Sequence, residues 1–225
     1  EDLKPNRLEA AKDVAAEFIN GRPNDNIGIT LFAGETFTQC PLTVDHAVLL
    51  DMIHNIKCGL ITDGTAVGMG IANAVTRLKD SKAKSKVIIL LTDGTNNKGD
   101  ISPMTAAEIA KSFGIRVYTI GVGTNGMAPY PYPVGNTVQY VSMPVEIDEK
   151  TLTEIAGTTD GNYFRATSNS KLKEVYEEID KLEKTKLNVK EYSKRDEEYH
   201  WFALAAFLCV LLEVLLRNSV LKKIP

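Results

Sequence analysis

Apolar and polar residues recur along residues 1–186 in two patterns, one typical of helices and one typical of buried strands. Apolar side chains repeat every three or four positions in segments that predict helices with one buried face, at about 6–18, 45–56, 65–79, 102–114, 148–157 and 170–186. Apolar runs predict strands at 27–32, 87–91, 116–122 and 162–165. Strands that alternate with helices of this length predict an α/β fold with a doubly wound, mostly parallel sheet and helices on both faces.

Two segments fall outside this alternation. Residues 36–41 follow the short turn 33–35, and they predict an antiparallel edge strand paired with 27–32. Residues 124–145 are rich in Pro, Tyr and Gly, have little periodicity, and are too long for an ordinary connection. We therefore expect 124–145 to be an insertion loop, either an ordered insertion near the sheet edge or a binding loop.

A nearly continuous apolar segment, residues 201–216, follows the domain predicted at 1–186. As a helix it would span about 24 Å, which is less than the roughly 30 Å of a hydrocarbon core. Glu213 adds to the cost of insertion, which is about 2.5–3.5 kcal/mol for a charge at mid-bilayer. Aromatic residues flank the segment on one side and basic residues on the other, as is typical of membrane helices: Tyr199 and Trp201, then Arg217, Lys222 and Lys223.

We interpret this region as a transmembrane helix over 199–217, with a juxtamembrane linker at 187–198 and a basic tail at 218–225. By the positive-inside rule the tail is cytoplasmic, and the globular domain therefore lies outside the cytoplasm. The alternatives are a buried C-terminal helix or a soluble scaffold whose C-terminal helix binds a partner.

Polar turns stand at two points where strands and helices meet. Asp93 and Gly94 end the buried strand at 87–91, which is where open α/β sheets place their ligand chemistry. The turn at 62–65 lies upstream and opens a helix. Two oxygen-rich turns that converge at one sheet edge would form a hard-cation site at Thr65 and Asp93, lined by Asp63, Gly64, Gly94 and Asn96.

Each of these residues also has a purely structural interpretation. Asp93 before Gly94 can form an Asx-turn, and Thr65 can cap a helix while still serving a metal. Asp63 is more typical of a turn-forming residue, and Asn96 of a polar loop residue.

The composition and the motifs of the chain exclude several classes of function. A net charge of −3 gives no indication of a nucleic-acid surface. Residues 121–126 match G-x-G-x-x-G, but the prolines that follow prevent the helix that a dinucleotide site needs. Residues 91–95 resemble the D-x-D-G-T loop of haloacid-dehalogenase-like phosphatases, yet Leu91 stands where the nucleophilic aspartate would be. We predict that the protein is not an enzyme; a Mg²⁺-dependent hydrolase or phosphatase on a similar sheet is the alternative.

The motifs that remain resemble a von Willebrand factor A domain. They are the amphipathic first helix, Asp-Gly-Thr-Ala-Val-Gly at 63–68, the strand and Thr-Asp-Gly turn at 87–94, and Gly-Ile-Arg-Val-Tyr-Thr-Ile-Gly-Val-Gly at 114–123. The chain is more similar still to BatA-like bacterial membrane proteins of the aerotolerance operons. That closer match rests on Asn-Arg-Leu-Glu-Ala-Ala-Lys at 6–12, on Tyr-Phe-Arg-Ala-Thr at 163–167, and on the apolar C-terminal segment with its basic tail.

The resemblance implies a metal-ion-dependent adhesion site in which Thr65 and Asp93 occupy two of the ligand positions. The family also carries an Asp-x-Ser-x-Ser loop after its first strand, and this chain contains no such motif. We expect that the chain starts just past that loop, so that the first central strand is missing. Mg²⁺ or Mn²⁺ would then bind the intact protein and bind this chain weakly or not at all.

The resemblance also implies partners and a location. The partners would be other Bat-type von Willebrand A proteins and a MoxR-type AAA+ ATPase, with no nucleic acid. The protein would reside in the bacterial inner membrane, with its globular domain facing the periplasm and its C-terminus in the cytoplasm. Its role would lie in an envelope complex linked to stress or oxygen tolerance.

Overall fold

The structure is a computed structural model that describes residues 3–124, 126–134, 137–145, 147–192 and 199–219. The chain divides into two compact units, Glu1–Lys184 and Thr185–Pro225. The strands are β1 (Ile27–Phe32), β2 (Thr36–Thr43), β3 (Val87–Thr92), β4 (Arg116–Val122), β5 (Gly126–Val134), β6 (Thr137–Val145) and β7 (Tyr163–Ala166). The helices are α1 (Arg7–Asn20), α2 (His46–His54), α3 (Val67–Leu78), α4 (Pro103–Ser112), α5 (Glu149–Thr158), α6 (Asn169–Tyr192) and α7 (Tyr199–Ser219).

Polar side chains at helix N-termini explain where several helices begin. The side-chain oxygens of these residues accept hydrogen bonds from backbone amides three positions later, which satisfies N–H groups that a first turn leaves open. They cap α1, α2, α4 and α5: Asn6, Asp45, Ser102 and Asp148. Pro103 then occupies the first turn of α4, where a missing N–H costs nothing.

The parallel part of the sheet has the order β3-β4-β7. Val87 faces Arg116 and Thr92 faces Gly121, so β3 and β4 end at the same edge. The central strand β4 is almost entirely buried, as its continuous apolar sequence predicts. The expected parallel sheet is therefore confirmed, and so is the antiparallel pair formed by β1 and β2 around the turn at 33–35.

Two hydrophobic clusters lie on opposite faces of this sheet. One combines α3, α4 and α5 with residues of β3 and β4, among them Ile71, Leu90, Val117 and Ile155. The other packs α1 and α6 against the opposite side of the same strands. Helices therefore cover both faces, as a doubly wound fold requires.

The sheet is interrupted between β1 and β3. Helix α3 contacts both strands. Within the described residues, however, β1 is hydrogen-bonded only to β2, and β3 only to β4. Each strand therefore has one edge without a strand partner in this part of the chain. The interruption lies where a central strand would fit, and the expectation of such a missing strand stays a prediction.

A buried ionic cluster joins α6 to the start of β4. Glu183 is 4% exposed; it accepts hydrogen bonds from the Tyr118 hydroxyl at 2.6 Å and the Ser85 hydroxyl at 2.8 Å, and it pairs with the Arg116 guanidinium. Burial alone would raise the pKa of Glu183, but the hydrogen bonds from Arg116, Tyr118 and Ser85 outweigh it and hold the pKa below its ordinary value. No local pattern in the sequence marks this cluster, because its members are far apart in the chain.

The segment 124–145, predicted as either an ordered insertion or a binding loop, forms a two-stranded ribbon over the residues that the structure describes. This segment contains two antiparallel strands, β5 and β6, paired from Gly126–Val145 to Val134–Thr137. The prolines Pro129, Pro131 and Pro133 suggest a loop by composition, but they occupy every second position. At that spacing all three can lie where a strand needs no amide donor.

The C-terminal boundaries also differ from those predicted. Helix α6 continues to Tyr192, beyond the expected end at residue 186 and into the predicted linker 187–198. Helix α7 occupies the region predicted as a transmembrane helix over 199–217. Among the helices of the described residues, none is both long and apolar enough to cross a membrane. Residues 193–198 of the linker and 220–225 of the basic tail lie outside the described residues.

Candidate functional site

The turn after β1 and the segment before α3 are held together by backbone hydrogen bonds. The Gly34 amide donates to the Thr62 carbonyl at 2.8 Å, and the Ala66 amide donates to the Ala33 carbonyl at 2.7 Å. A Cβ atom on Gly34 would lie 2.7 Å from the Asp63 carbonyl oxygen, which leaves no room for a side chain. The polar turn at 62–65 is therefore fixed at the end of β1.

The loop after β3 binds the same turn from its other side. The Asn97 side-chain oxygen accepts a hydrogen bond from the Thr65 amide at 2.9 Å, and the Asn97 amide donates to the Thr65 carbonyl at 3.0 Å. Asn96 accepts from the Val67 amide at 2.9 Å and so caps α3. The side-chain oxygen of Asn96, a predicted lining residue, is thus occupied by the Val67 amide, and Asn97 anchors the backbone of Thr65.

These contacts bring the two predicted metal ligands to one edge of the sheet. A Cβ atom on Gly94 would lie 3.3 Å from the Thr65 hydroxyl oxygen, so the hydroxyl is next to the backbone directly after Asp93. Gly94 leaves this approach open, which gives the predicted lining residue a physical role. The prediction that Thr65 and Asp93 actually ligate a metal stays a prediction.

Asp93 contacts a residue that the sequence reading did not identify as part of the site. The Arg7 guanidinium donates from Nη1 to Asp93 Oδ2 at 3.0 Å; the side chain of Asp93 is 57% exposed and that of Arg7 is 18% exposed. Gly123, at the end of β4, has a φ of +115°, and a Cβ atom there would lie 2.6 Å from the guanidinium carbon of Arg7. Arg7 therefore lies between the ends of β3 and β4.

The other two predicted lining residues shape the turn. The Asp63 carboxylate accepts a hydrogen bond from the Gly64 amide at 2.9 Å, which is the turn-forming role considered for it above. Gly64 has a φ of +135°, a conformation that L side chains rarely adopt. A Cβ atom on Gly64 would also lie 2.6 Å from the Lys98 side chain. Asp63 and Gly64 therefore stabilise the backbone conformation of the turn that positions Thr65.

The donor set fits part of a Mg²⁺-type site. The Asp93 carboxylate and the Thr65 hydroxyl are hard oxygen donors of the kind that Mg²⁺ accepts alongside several waters. The described residues contain no group of three or more His, Cys, Asp or Glu side chains placed to hold a metal.

The residue that separates a binding site from a phosphatase site is Leu91. Its side chain is partly buried and packs against the hydrophobic cluster of α1 and α6. A leucine has no group that can attack phosphorus or accept a proton. The carboxylate of Asp93 thus has no second carboxylate two residues before it.

Comparisons with known proteins agree with this architecture. A family model for the von Willebrand factor type A domain matches residues 2–178. The chain is 27% identical over 220 residues to an uncharacterized protein of Borreliella burgdorferi, covering 97% of this chain and 64% of that protein. It spans about one half to two thirds of the length of the curated relatives it matches.

Crystal structures show the same likeness. An aerotolerance-related membrane protein of Bacteroides fragilis superposes with a TM-score of 0.69 at 30% identity, covering 80% of this chain and 89% of that one. A conserved hypothetical protein BatB of Bacteroides thetaiotaomicron gives 0.70 at 33% identity, with 81% and 91% coverage. The mussel proximal thread matrix protein 1, with a zinc-occupied MIDAS motif, gives 0.61 at 25% identity, with 79% and 41% coverage.

Proposed function

Because the chain belongs to the von Willebrand factor type A domain family, we propose that it mediates a divalent-cation-dependent contact with another protein. The contact would form at the sheet edge where Thr65 and Asp93 lie. The observation that carries this proposal is the convergence of three loops there, held by Asn97 and by the Gly34 and Ala66 amides. Such a rigid, oxygen-rich edge is suited to binding, since ligands of open α/β sheets sit at the carboxyl ends of the strands.

The cation would bridge two proteins. Mg²⁺ or Mn²⁺ would take Asp93 and Thr65 as part of its ligand set, and a carboxylate of the partner would fill an open position. Further donors would come from a strand that fills the interruption between β1 and β3. The sheet break supports this proposal, because within the described residues the edge of β3 beside Asp93 has no strand partner. For this chain alone we expect weak or no cation binding.

The contact would be non-enzymatic. Leu91 supplies no nucleophile beside Asp93, so the geometry favours a binding site over a hydrolase or phosphatase. Zinc in the MIDAS motif of the mussel protein supports the choice of a divalent cation. The ions proposed for this protein are Mg²⁺ and Mn²⁺, because hard oxygen donors suit them.

We also propose that the protein is tethered to the bacterial inner membrane through α7, with its globular domain facing the periplasm. The aerotolerance-related neighbour of Bacteroides fragilis is a membrane protein. In α7 the described side chains from Ala203 to Val214 are exposed, and Phe207 and Leu212 are 64% and 60% exposed. An alkaline wash that retains the protein in the membrane supports the tether. Release into the wash would favour a soluble scaffold.

The partners proposed by resemblance are other Bat-type von Willebrand A proteins and a MoxR-type AAA+ ATPase. Binding of the full-length gene product to these proteins from its own organism should be measured by biolayer interferometry in Mn²⁺ and in EDTA. We expect binding in Mn²⁺ that EDTA abolishes and that Asp93→Ala weakens at least tenfold. Binding unaffected by EDTA and by Asp93→Ala would refute cation dependence.

A further inference from the structure

The connection between α3 and β3, the basic loop of residues 79–86, carries a concentrated positive charge. It contains Lys79, Lys82, Lys84 and Lys86 and a single acidic residue, Asp80. Of the 26 basic and 29 acidic residues of the chain, 22 and 28 lie outside this loop, so the remainder carries a net charge of −6. Lys79, Lys82 and Lys84 are exposed. The charge of the basic loop is thus opposite to that of the rest of the chain.

The basic loop lies at the edge of the sheet opposite to the candidate cation site. It directly precedes β3, whereas Asp93 directly follows β3. Val87 faces Arg116 at the first position of the β3–β4 ladder, so both strands begin beside the loop. The six residues of β3 separate the two edges by about 20 Å. A surface that binds the basic loop therefore leaves the cation site open to a partner protein.

Side-chain contacts fix the basic loop to the end of the first compact unit. The Ser85 hydroxyl donates to Glu183 at 2.8 Å, and the Arg116 guanidinium donates to Ser85 at 2.6 Å and to Glu183 at 2.9 Å. The Lys86 ammonium donates to the Lys79 carbonyl at 3.4 Å and so closes the loop on itself. Glu183 belongs to α6, and the unit ends one residue later. The loop is therefore anchored beside the point where the chain leaves this unit.

The chain that leaves the unit leads to the proposed tether. The segment 185–198 connects the unit to α7, and it spans at most about 50 Å even when fully extended. Residues 181–190 add four lysines and one glutamate. Lysines close to a membrane helix are attracted to anionic phospholipids, and the attraction falls off within a Debye length of about 8 Å at physiological salt. A short tether keeps the membrane surface at a high local concentration for such a loop.

We propose that the basic loop binds the anionic phospholipid headgroups of the membrane to which α7 tethers the chain. The proposal rests on the tether for the proximity of that membrane. Phosphate oxygens accept charge-assisted hydrogen bonds from lysine ammonium groups, and the acidic remainder of the chain is repelled by the same surface. The charge asymmetry thus orients the domain, with the basic loop toward the lipid and the cation site toward partner proteins.

Energy transfer in the full chain, reconstituted into vesicles, tests the proposal. The exposed Cys58 and Cys209 are replaced by serine, and the buried Cys40 is kept. A donor fluorophore is attached to Ala83→Cys in the basic loop, and the vesicles contain an acceptor-labelled lipid. Transfer should be at least twofold higher in vesicles that contain phosphatidylglycerol than in pure phosphatidylcholine. A fluorophore on Asp100→Cys, in the exposed loop after β3, should show no such increase.

Two double variants test whether the lysines cause the increase. Lys79→Gln with Lys82→Gln removes two exposed charges from the basic loop and should abolish it. Lys150→Gln with Lys171→Gln removes two exposed charges from the first turns of α5 and α6 and should leave it unchanged. Thermal unfolding checks that both double variants fold. Added NaCl should also reduce the increase, because salt screens the attraction.

An alkaline wash of neutral vesicles tests the tether separately. If the chain is retained, equal energy transfer from position 83 in the two kinds of vesicle would overturn the proposal and leave the tether intact. An increase that persists without Lys79 and Lys82 would overturn it as well. If the wash releases the chain, the tether is refuted, and the loop must then bring the chain down with phosphatidylglycerol vesicles and not with neutral ones. Sedimentation with neither kind of vesicle would overturn both proposals.

Discussion

The Arg7 guanidinium donates a hydrogen bond to the Asp93 carboxylate at 3.0 Å. A positive charge therefore lies next to the carboxylate that is predicted to bind a cation. The pair joins the start of α1 to the end of β3. Asp93 is more than half exposed, so the pair adds little to stability, on the order of 0–1 kcal/mol. Its consequence lies in the site: a divalent cation and Arg7 compete for one carboxylate.

Replacing Arg7 by glutamine should therefore strengthen divalent-cation binding. In the full-length gene product we expect Arg7→Gln to raise the affinity for Mn²⁺ several-fold, because the carboxylate loses its competing charge. Isothermal titration calorimetry measures the effect. Lys111→Gln, which removes a positive charge from the exposed last turn of α4 near the start of β4, serves as the control. Weaker binding in Arg7→Gln would instead mean that Arg7 holds Asp93 in position for the metal.

Asn97 should position Thr65 without serving as a ligand. Asn97→Ala removes the acceptor of the Thr65 amide, which costs about 1 kcal/mol of stability. Asn96→Ala removes the equivalent acceptor of the Val67 amide and should cost a similar amount. Only Asn97→Ala should lower Mn²⁺ affinity of the full-length product, since it frees the Thr65 backbone. Equal losses of affinity in the two variants would show that the loop acts as a whole.

The close approach of α3 to the loop before α4 gives a stability prediction. A Cβ atom on Gly68 would lie 2.1 Å from the Ile101 carbonyl oxygen, a backbone atom that cannot swing away. We expect Gly68→Ala to lower the free energy of unfolding by about 1–3 kcal/mol. Gly157 in α5 has nothing within 4 Å of its Cβ position, so Gly157→Ala should raise stability by about 0.5–1 kcal/mol. Urea denaturation measures the free energy of unfolding of both variants. A loss of stability in both would contradict the open space at the Cβ position of Gly157.

The Glu183 cluster predicts an acid-dependent loss of stability. The pKa of Glu183 is lower in the folded protein than its ordinary value of 4.5. The stabilisation is therefore complete above about pH 4.5 and is lost as the pH falls through the folded-state pKa. Glu183→Gln leaves Arg116 buried without its counter-ion, and should cost about 3 kcal/mol at neutral pH.

Glu178→Gln, an exposed change on the same helix, is the matched control for Glu183. Thermal unfolding between pH 3 and pH 7 should show a shallower acid dependence in Glu183→Gln than in Glu178→Gln. Parallel curves for the two variants would show that another group controls the acid response.

The sequence predicted the elements whose signals are local. The caps at Asn6, Ser102 and Asp148 and the buried strand β4 can be read directly, because capping spacing and apolar runs act within a few residues. The same holds for the turn that carries Asp93. These features were enough to place Thr65 and Asp93 at one edge of the sheet.

The features that the sequence missed depend on contacts between distant residues. Arg7 lies 86 positions from Asp93 and Asn97 lies 32 positions from Thr65, and no local pattern marks either pair. The strands β5 and β6 were not predicted, because their prolines oppose strand formation by composition although their alternate spacing permits it. Contacts between distant residues thus decide which side chains hold Asp93 and Thr65 in place, and they decide how the segment 124–145 folds.

The most direct measurement is the Mn²⁺ affinity of the full-length gene product with Asp93 and with Asp93→Ala, read from the loss of the free-ion electron paramagnetic resonance signal. Asp100→Ala, an exposed carboxylate on the same loop, is the control. Asp93→Ala should weaken binding at least tenfold, whereas Asp100→Ala should leave it unchanged. Equal affinity in all three proteins would contradict the assignment of Asp93 to a cation site.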